Sequence, residues 1–435
     1  MNKIFFWSFS VALAGLLFGF DTIVISGADQ KLQELWNTSD VFHGFVVMAS
    51  ALWGTVIGAV TGGIPTNKFG RKNMLIAIGV LYFVSAVGAA LANDPITFAF
   101  FRFIGGLGIG ASTIAAPGYI SEIAPPEKRG RLVGMYQLSI VLGILTAFLS
   151  NYLLQNVGED AWRWMIGVAA FPSVIYFVAV LFIPNSPHWL VMKGRTAEAE
   201  KILKVIDPDA DINSFVAELK SNEATVNENI FMKKYRPALL LAFFIAFFNQ
   251  FSGINGILYY APRIFEEAGI GSSTAFLSSV GIGFINVIFT LLGMALIDRL
   301  GRKQLMYIGS FLYIISLSLV AMSFFFEWKG LSVPIFLFVF IAAHAIGQGT
   351  VIWVFIAEIF PTHLRAQGQA FGSSVHWVLA AAIPSLIPYM FSTIGAGVVF
   401  ASFAVMMIWQ LFWVKFKMPE TKGISLEEVS RKLTL

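Results

Sequence analysis

NKFGRK at residues 67–72 returns as DRLGRK at residues 298–303, with Arg71 and Arg302 separated by 231 positions. SEIAPPEKRG (121–130) is answered by AEIFPTHLRA (357–366), each with a Glu and an Arg seven residues apart; Glu122 and Glu358 are separated by 236 positions. PNSP (184–187) is answered by PETKG (419–423), at an offset of 235. One such motif alone is an ordinary basic loop. Three in the same order at nearly constant offset mean two copies of one unit in tandem.

The composition says what each copy is built from. The chain has 435 residues, 57% of them apolar and 12% charged, with a mean hydropathy of +0.76. A soluble chain is nearer half apolar and a quarter charged. At about 20 apolar residues per bilayer crossing, this chain holds enough for roughly twelve. Twelve apolar runs lie at 5–27, 43–65, 72–92, 97–121, 131–154, 163–184, 236–260, 274–297, 304–326, 333–359, 367–391 and 395–417. They lack the alternation of a transmembrane barrel and must satisfy their backbone internally, so they are expected to be helices. The first run is too long for a signal-peptide core and lacks a cleavage site, so it reads as the first helix. This excludes a soluble enzyme, a nucleic-acid binder and a disordered chain. The absence of Cys removes disulfides, thiolate metal sites and cysteine nucleophiles.

With both termini cytoplasmic, the outer segments hold only Lys31, Arg163, Arg263 and Lys329 as cations, and Arg102 falls within a span. The other 24 of the 29 Lys and Arg lie on the inner side, the bias that sets membrane orientation. The acids Asp29, Glu34, Asp40, Asp94, Glu159, Asp160, Glu266, Glu267 and Glu327 lie outside. Residues 185–235 are polar, with apolar positions at three- and four-residue spacing, which predicts short amphipathic helices. The expected organisation is a six-helix bundle (1–184), a cytoplasmic helical linker (185–235), a second bundle (236–417) and a tail (418–435). Paired bundles related by an axis along the membrane normal are a carrier architecture.

Charges inside or at the ends of spans are the functional candidates. Asp21 lies roughly 24 Å up the first helix and Arg102 about 28 Å up the fourth, at 1.5 Å per residue. An acid and a base at one depth should pair, either as a static bridge or as a proton relay. Glu122 and Glu358 lie near Arg129 and Arg365, and near Arg71 and Arg302, as charges that would latch helices together and bias one conformation. Polar side chains at mid-membrane depth include Gln250, Asn286, His344 and Gln348, with His376 beside Trp377 on the eleventh helix. His344 and Gln348, four apart, are expected on one helix face. Gly253 and Gly256 predict a break in the seventh helix that turns Gln250 and Asn255 inward, and Gly347 and Gly349 offer a similar hinge beside Trp353. Such amides and imidazoles suit a ring bearing hydroxyls. IGGLGIG (104–110) has no preceding strand and reads as close helix packing, and GxxxxGK[ST] does not occur, leaving no ATP site.

These segments resemble the sugar porter family of the major facilitator superfamily. The likeness is carried by FGFDTIVISG (18–27), NKFGRK, FRFIGGLGIGAS (101–112), SEIAPPEKRGRLVGMYQ (121–137), NQFSGINGILYYAP (249–262), DRLGRK, GQGTVIWVFIAEIFP (347–361) and PETKG. The resemblance implies the all-α twelve-helix fold and transport of a monosaccharide by alternating access. It implies that Asp21 is the proton acceptor with Arg102 as its partner, as in the family's bacterial symporters. It places Gln137, Gln250, Asn255, Asn286 and Trp353 at sugar-contacting positions and Tyr259 and Tyr260 at an outer gate. Asn249, also a sugar-contact candidate, stands where the family has Gln, Asn67 stands where Asp is usual, and PNSPH puts Asn185 and His188 in place of a Glu and an Arg, which weakens the first latch. HAIGQGTVIW (344–353) and SSVHWV (373–378) resemble the fructose-transporting branch, and so His344, His376 and Trp377 join the substrate candidates and fructose is favoured. The expected partners are a monosaccharide, protons and the lipid bilayer of the cell membrane, with no cofactor, metal, nucleic acid or ATP, and the chain acting as a monomer. A proton-independent uniporter is the main alternative. A non-transporting sugar sensor is disfavoured by the short tail after PETKG.

Overall fold

The computed structural model describes residues 3–223, 229–328, 330–424 and the single positions 428, 429 and 433. Lys329 and residues 425–427, 430–432, 434 and 435 of the tail lie outside the described residues, which contain helices and turns and no strand. The chain begins with α1 (Lys3–Val24), which passes into a 3₁₀ turn, Ile25–Gly27, and then α2 (Asp29–Trp36). A π-helix, His43–Met48, precedes α3 (Ser50–Thr61). Then come α4 (Arg71–Ala90), α5 (Pro95–Ile123), α6 (Arg129–Leu154), α7 (Ala161–Gly167) and α8 (Ala170–Leu181). The polar stretch forms α9 (Pro187–Met192), α10 (Thr196–Ile206) and α11 (Ile212–Glu223). The second half runs α12 (Arg236–Phe251), α13 (Ile254–Tyr259), α14 (Ala261–Glu267), α15 (Ser272–Leu300), α16 (Arg302–Phe325), α17 (Ser332–Ile346), α18 (Gln348–Glu358), α19 (Arg365–Ile394) and α20 (Ala396–Phe416).

Among the described residues eleven helical stretches are long and apolar enough to cross a bilayer, and twelve when the pair Asp40–Met48 and Ser50–Thr61, bent by 45°, counts as one. The second crossing is thus not the straight helix its apolar run suggested. Helix starts follow local chemistry. Asp94 caps α5 by accepting from the Ile96 and Thr97 amides at 3.0 and 2.9 Å, with Pro95 at the first position.

The chain groups into two compact units. The first comprises Met1–Val24, Ser50–Ala147 and Glu159–Asn227; the second comprises Ile25–Ala49, Phe148–Gly158 and Glu228–Leu435. The contact grouping thus differs from a simple division at the linker, because the segment that follows α1 packs with the carboxyl-terminal half. In the first unit, α5 lies hard against α3. A Cβ on Gly106 would sit 2.0 Å from the Ala51 carbonyl oxygen, so IGGLGIG is a packing surface. In the second unit the seventh crossing breaks where expected. Gly253 has φ +83°, and a Cβ there would lie 2.4 Å from the Phe403 ring. The repeat is visible in backbone geometry as well: Gly70 and Gly301 end their helices at φ 94°, ψ 154° and φ 92°, ψ 166°.

Candidate functional site

In the first unit Arg102 donates to Asp21 Oδ1 at 2.6 Å and to the Asp21 backbone carbonyl at 2.7 Å. The side chains are 1% and 4% exposed, so the depth match became a buried ion pair. Carbonyls near a helix end lose their i+4 partners, and α1 gives way to the 3₁₀ turn at Ile25, which suits the second bond. Asp21 Oδ2 and Arg102 Nε have no hydrogen-bond partner among the described residues. A buried carboxylate oxygen without a donor is costly. Close by, Tyr82 donates to Ser112 Oγ at 3.5 Å, and Ser112 shares a 3.2 Å bond with Tyr136. Gln137 follows Tyr136 on α6 in this unit.

The second unit gathers six of the polar and aromatic candidates. Asn255 donates to Gln250 Oε1 at 2.8 Å, and Gln250 Nε2 donates to Asn249 Oδ1 at 2.9 Å. The same Nε2 faces the His376 ring at 3.2 and 3.3 Å, so a ring nitrogen accepts there. His376 stands edge-on to Trp353 and Trp377, with centroids 5.0 Å away in both cases. The Gly253 break makes this possible, since it lets Asn255 turn back onto Gln250. Amides, an imidazole and two indoles offer the mixed donors, acceptors and flat apolar faces that a hydroxylated ring requires.

Two candidates go elsewhere. Asn286 accepts from Thr290 at 3.4 Å. His344 Nδ1 is bonded to the Tyr313 hydroxyl at 2.5 Å. His344 and Gln348 do not share a helix face, because the chain breaks between them at Gly347, where ψ is −99°. Gln348 turns instead to Gln410, a lone amide on α20 with no distinguishing sequence signal.

Tyr259 and Tyr260 are fully buried, which removes them from any interfacial aromatic belt. Tyr260 donates to the Pro384 carbonyl at 3.0 Å. Next to it lies a cluster that sequence reading treated only as loop charge. Asp29 is bonded to His43 at 2.7 Å and to Arg263 at 2.8 Å, and Arg263 also donates to Gln33. The missed signal was that an acid, an imidazole and a base stood at the ends of the first, second and seventh apolar runs.

At the motif end of each unit the three repeated motifs converge. In the first, Arg71 Nη2 pairs with Glu122 at 2.9 Å and Ser186 of PNSP donates to the same carboxylate. Trp189 Nε1 donates to the Asn67 carbonyl at 3.0 Å. In the second, Arg302 grips Glu358 at 2.7 and 3.0 Å, and Thr421 of PETKG donates to Glu358 at 2.6 Å. Glu420 accepts from the Arg302 and Lys303 amides at 3.0 and 2.9 Å. Burial pushes its carboxyl up, but backbone donors from Lys422, Arg302, Lys303 and Thr421 outweigh this and hold it below its ordinary range. Arg129 and Arg365 are not part of either cluster: they form no ion pair among the described residues, and Arg365 Nε is buried without a partner. The seven-residue Glu–Arg spacing crosses a 3₁₀ turn in both motifs, so it does not keep the two on one helical face.

A multi-pass helical membrane protein with an intramembrane acid–base pair and a polar, aromatic-lined cluster has the parts of a secondary carrier. The family described as "Sugar (and other) transporter" matches residues 7–433, and the chain belongs to it. It is 37% identical over 442 residues to the arabinose–proton symporter of Bacillus subtilis (strain 168), covering 99% of this chain and 95% of that one. It is 31% identical over 469 residues to the D-xylose–proton symporter of Escherichia coli (strain K12), covering 98% and 95%. The solved inward-open structure of the E. coli xylose transporter XylE matches with a TM-score of 0.87 at 30% identity, covering 99% of each chain.

Proposed function

We propose that this chain is a proton-coupled symporter that moves a monosaccharide across the cell membrane by alternating access, with both termini cytoplasmic. The observation that carries the coupling is the buried Asp21–Arg102 pair with its open Oδ2. A proton arriving at Asp21 neutralises the carboxyl and weakens the hold on Arg102, and the loaded carrier can then change state. Sugar is held by Gln250, Asn255, His376 and Trp353, with Tyr259 and Tyr260 as the gate. Relatives named for arabinose and xylose support a monosaccharide. His376 beside Gln250 is the reason to place fructose among the hexoses to test first. A proton passes down its gradient with each sugar, so neither ATP nor a cofactor is required.

The test is uptake into proteoliposomes with an imposed pH gradient, comparing fructose, glucose, xylose and arabinose. Wild type is expected to concentrate one of them, at least tenfold above the level reached without the gradient. Asp21→Asn is expected to exchange sugar but not to concentrate it. Uptake that ignores the gradient would establish the uniporter instead.

A further inference from the structure

We propose that Gln410 and Ser310, which lie beyond the sugar-facing residues, are positioning residues that fix which end of the Gln250 amide faces the substrate. This rests on Gln250 being a sugar ligand. The argument is one of hydrogen-bond direction. Gln250 Nε2 donates to Asn249 Oδ1 at 2.9 Å, and Asn249 Nδ2 donates onward to Gln348 Oε1 at 3.5 Å, the longest step. Gln348 Nε2 donates to Gln410 Oε1 at 2.7 Å. Gln410 Nε2 donates to Ser310 Oγ at 2.7 Å, and the Ser310 hydroxyl donates to the Met306 carbonyl at 2.7 Å. Every donor points the same way, across four helices: α12, α18, α20 and α16.

The terminus sets the direction. The Ser310 hydroxyl points its one proton at the Met306 carbonyl, which can only accept, and so turns its lone pairs to Gln410. Gln410 must therefore offer its nitrogen to Ser310 and its oxygen to Gln348. The same logic passes through Gln348 and Asn249 to Gln250. Turning any one amide over would set donor against donor at one end and acceptor against acceptor at the other. Gln348, Gln410 and Ser310 are wholly buried and Asn249 is 2% exposed, so water cannot repair such a mismatch. At the near end Gln250 is left with a fixed acceptor toward Asn255 and a fixed donor toward His376. Without the chain, its amide is free to turn over and to present either end to a sugar hydroxyl.

The experiment measures equilibrium affinity for the best-bound sugar and its monodeoxy analogues by competition, on the full chain in detergent, together with thermal stability. In wild type one analogue is expected to bind about three- to tenfold more weakly than its parent, the size of one neutral hydrogen bond. Gln410→Leu is expected to shrink that penalty to less than twofold while the other analogues keep their ranking. Ser310→Ala, which removes a single hydroxyl, is expected to act likewise and carries the test if Gln410→Leu fails to fold. Ser310→Thr keeps the hydroxyl and is expected to keep the wild-type pattern. Lower thermal stability with an unchanged deoxy pattern overturns the proposal alone. A wild-type chain that binds none of the sugars overturns it together with the sugar reading of Gln250.

Discussion

Asp21 is buried and Glu267 is exposed, and their neighbours make the two carboxyl groups different instruments. Asp21 is held by a guanidinium at 2.6 Å. Glu267, at the end of α14, has no such direct clasp. Partial desolvation by the protein packed around it pushes its carboxyl up to about 7, which Arg263 opposes and Asp29 assists. The sign follows from proton linkage. Against an ordinary value of 4.5, the folded chain holds this proton more tightly. Its contribution is therefore fully present below about 4.5 and is lost as pH rises through about 7. Thermal unfolding between pH 5 and 8 should show stability falling with pH, and Glu267→Gln should flatten that fall. Identical slopes in the two proteins would reject the assignment. Asp21 and Arg102 were legible in the sequence because a charge inside an apolar run is conspicuous and helix rise converts position into depth. Gln410 was not, because a lone amide in an apolar helix has many roles until its neighbours are known.

At the scale of elements, the break between α12 and α13 joins sequence to site most directly. Gly253 adopts φ +83° with the Phe403 ring against it. Gly253→Ala should therefore cost about 1–3 kcal/mol through left-handed strain, with further loss from the contact with Phe403. Because the break delivers Asn255 to Gln250, sugar affinity should fall with stability; a variant stable and sugar-binding as wild type would show that the break is incidental. Two nearby glycines in an apolar run announced this break in advance. The separation of His344 from Gln348 was hidden, because spacing of four implies one face only along an unbroken helix. The bend before α3 was hidden too, since hydropathy reports apolar length and is blind to a π-helical turn.

For the whole molecule, the repeat that was read from three short motifs proved to be a repeat of packing. Arg71–Glu122–Ser186 in one unit mirrors Arg302–Glu358–Thr421 in the other. Glu358→Gln should loosen Arg302, which among the described residues keeps Asp298 as its other ionic partner, and open the motif end of the carrier. The chain has no Cys, so one cysteine introduced at that end reports alone, and its labelling rate should rise severalfold. An unchanged rate would remove Glu358 from the control of conformation. The segment Ile25–Ala49 also bears on how the protein is made. It emerges early from the ribosome, yet Gln33 and Asp29 bond to Arg263, a partner 230 residues downstream of Gln33. At about 5–20 residues per second, that partner arrives on the order of ten to fifty seconds later. During that interval Asp29 has His43 from its own segment, and its second partner is still to be made. Biogenesis of this carrier therefore includes a window in which the Asp29 carboxylate lacks the guanidinium that holds it in the finished protein.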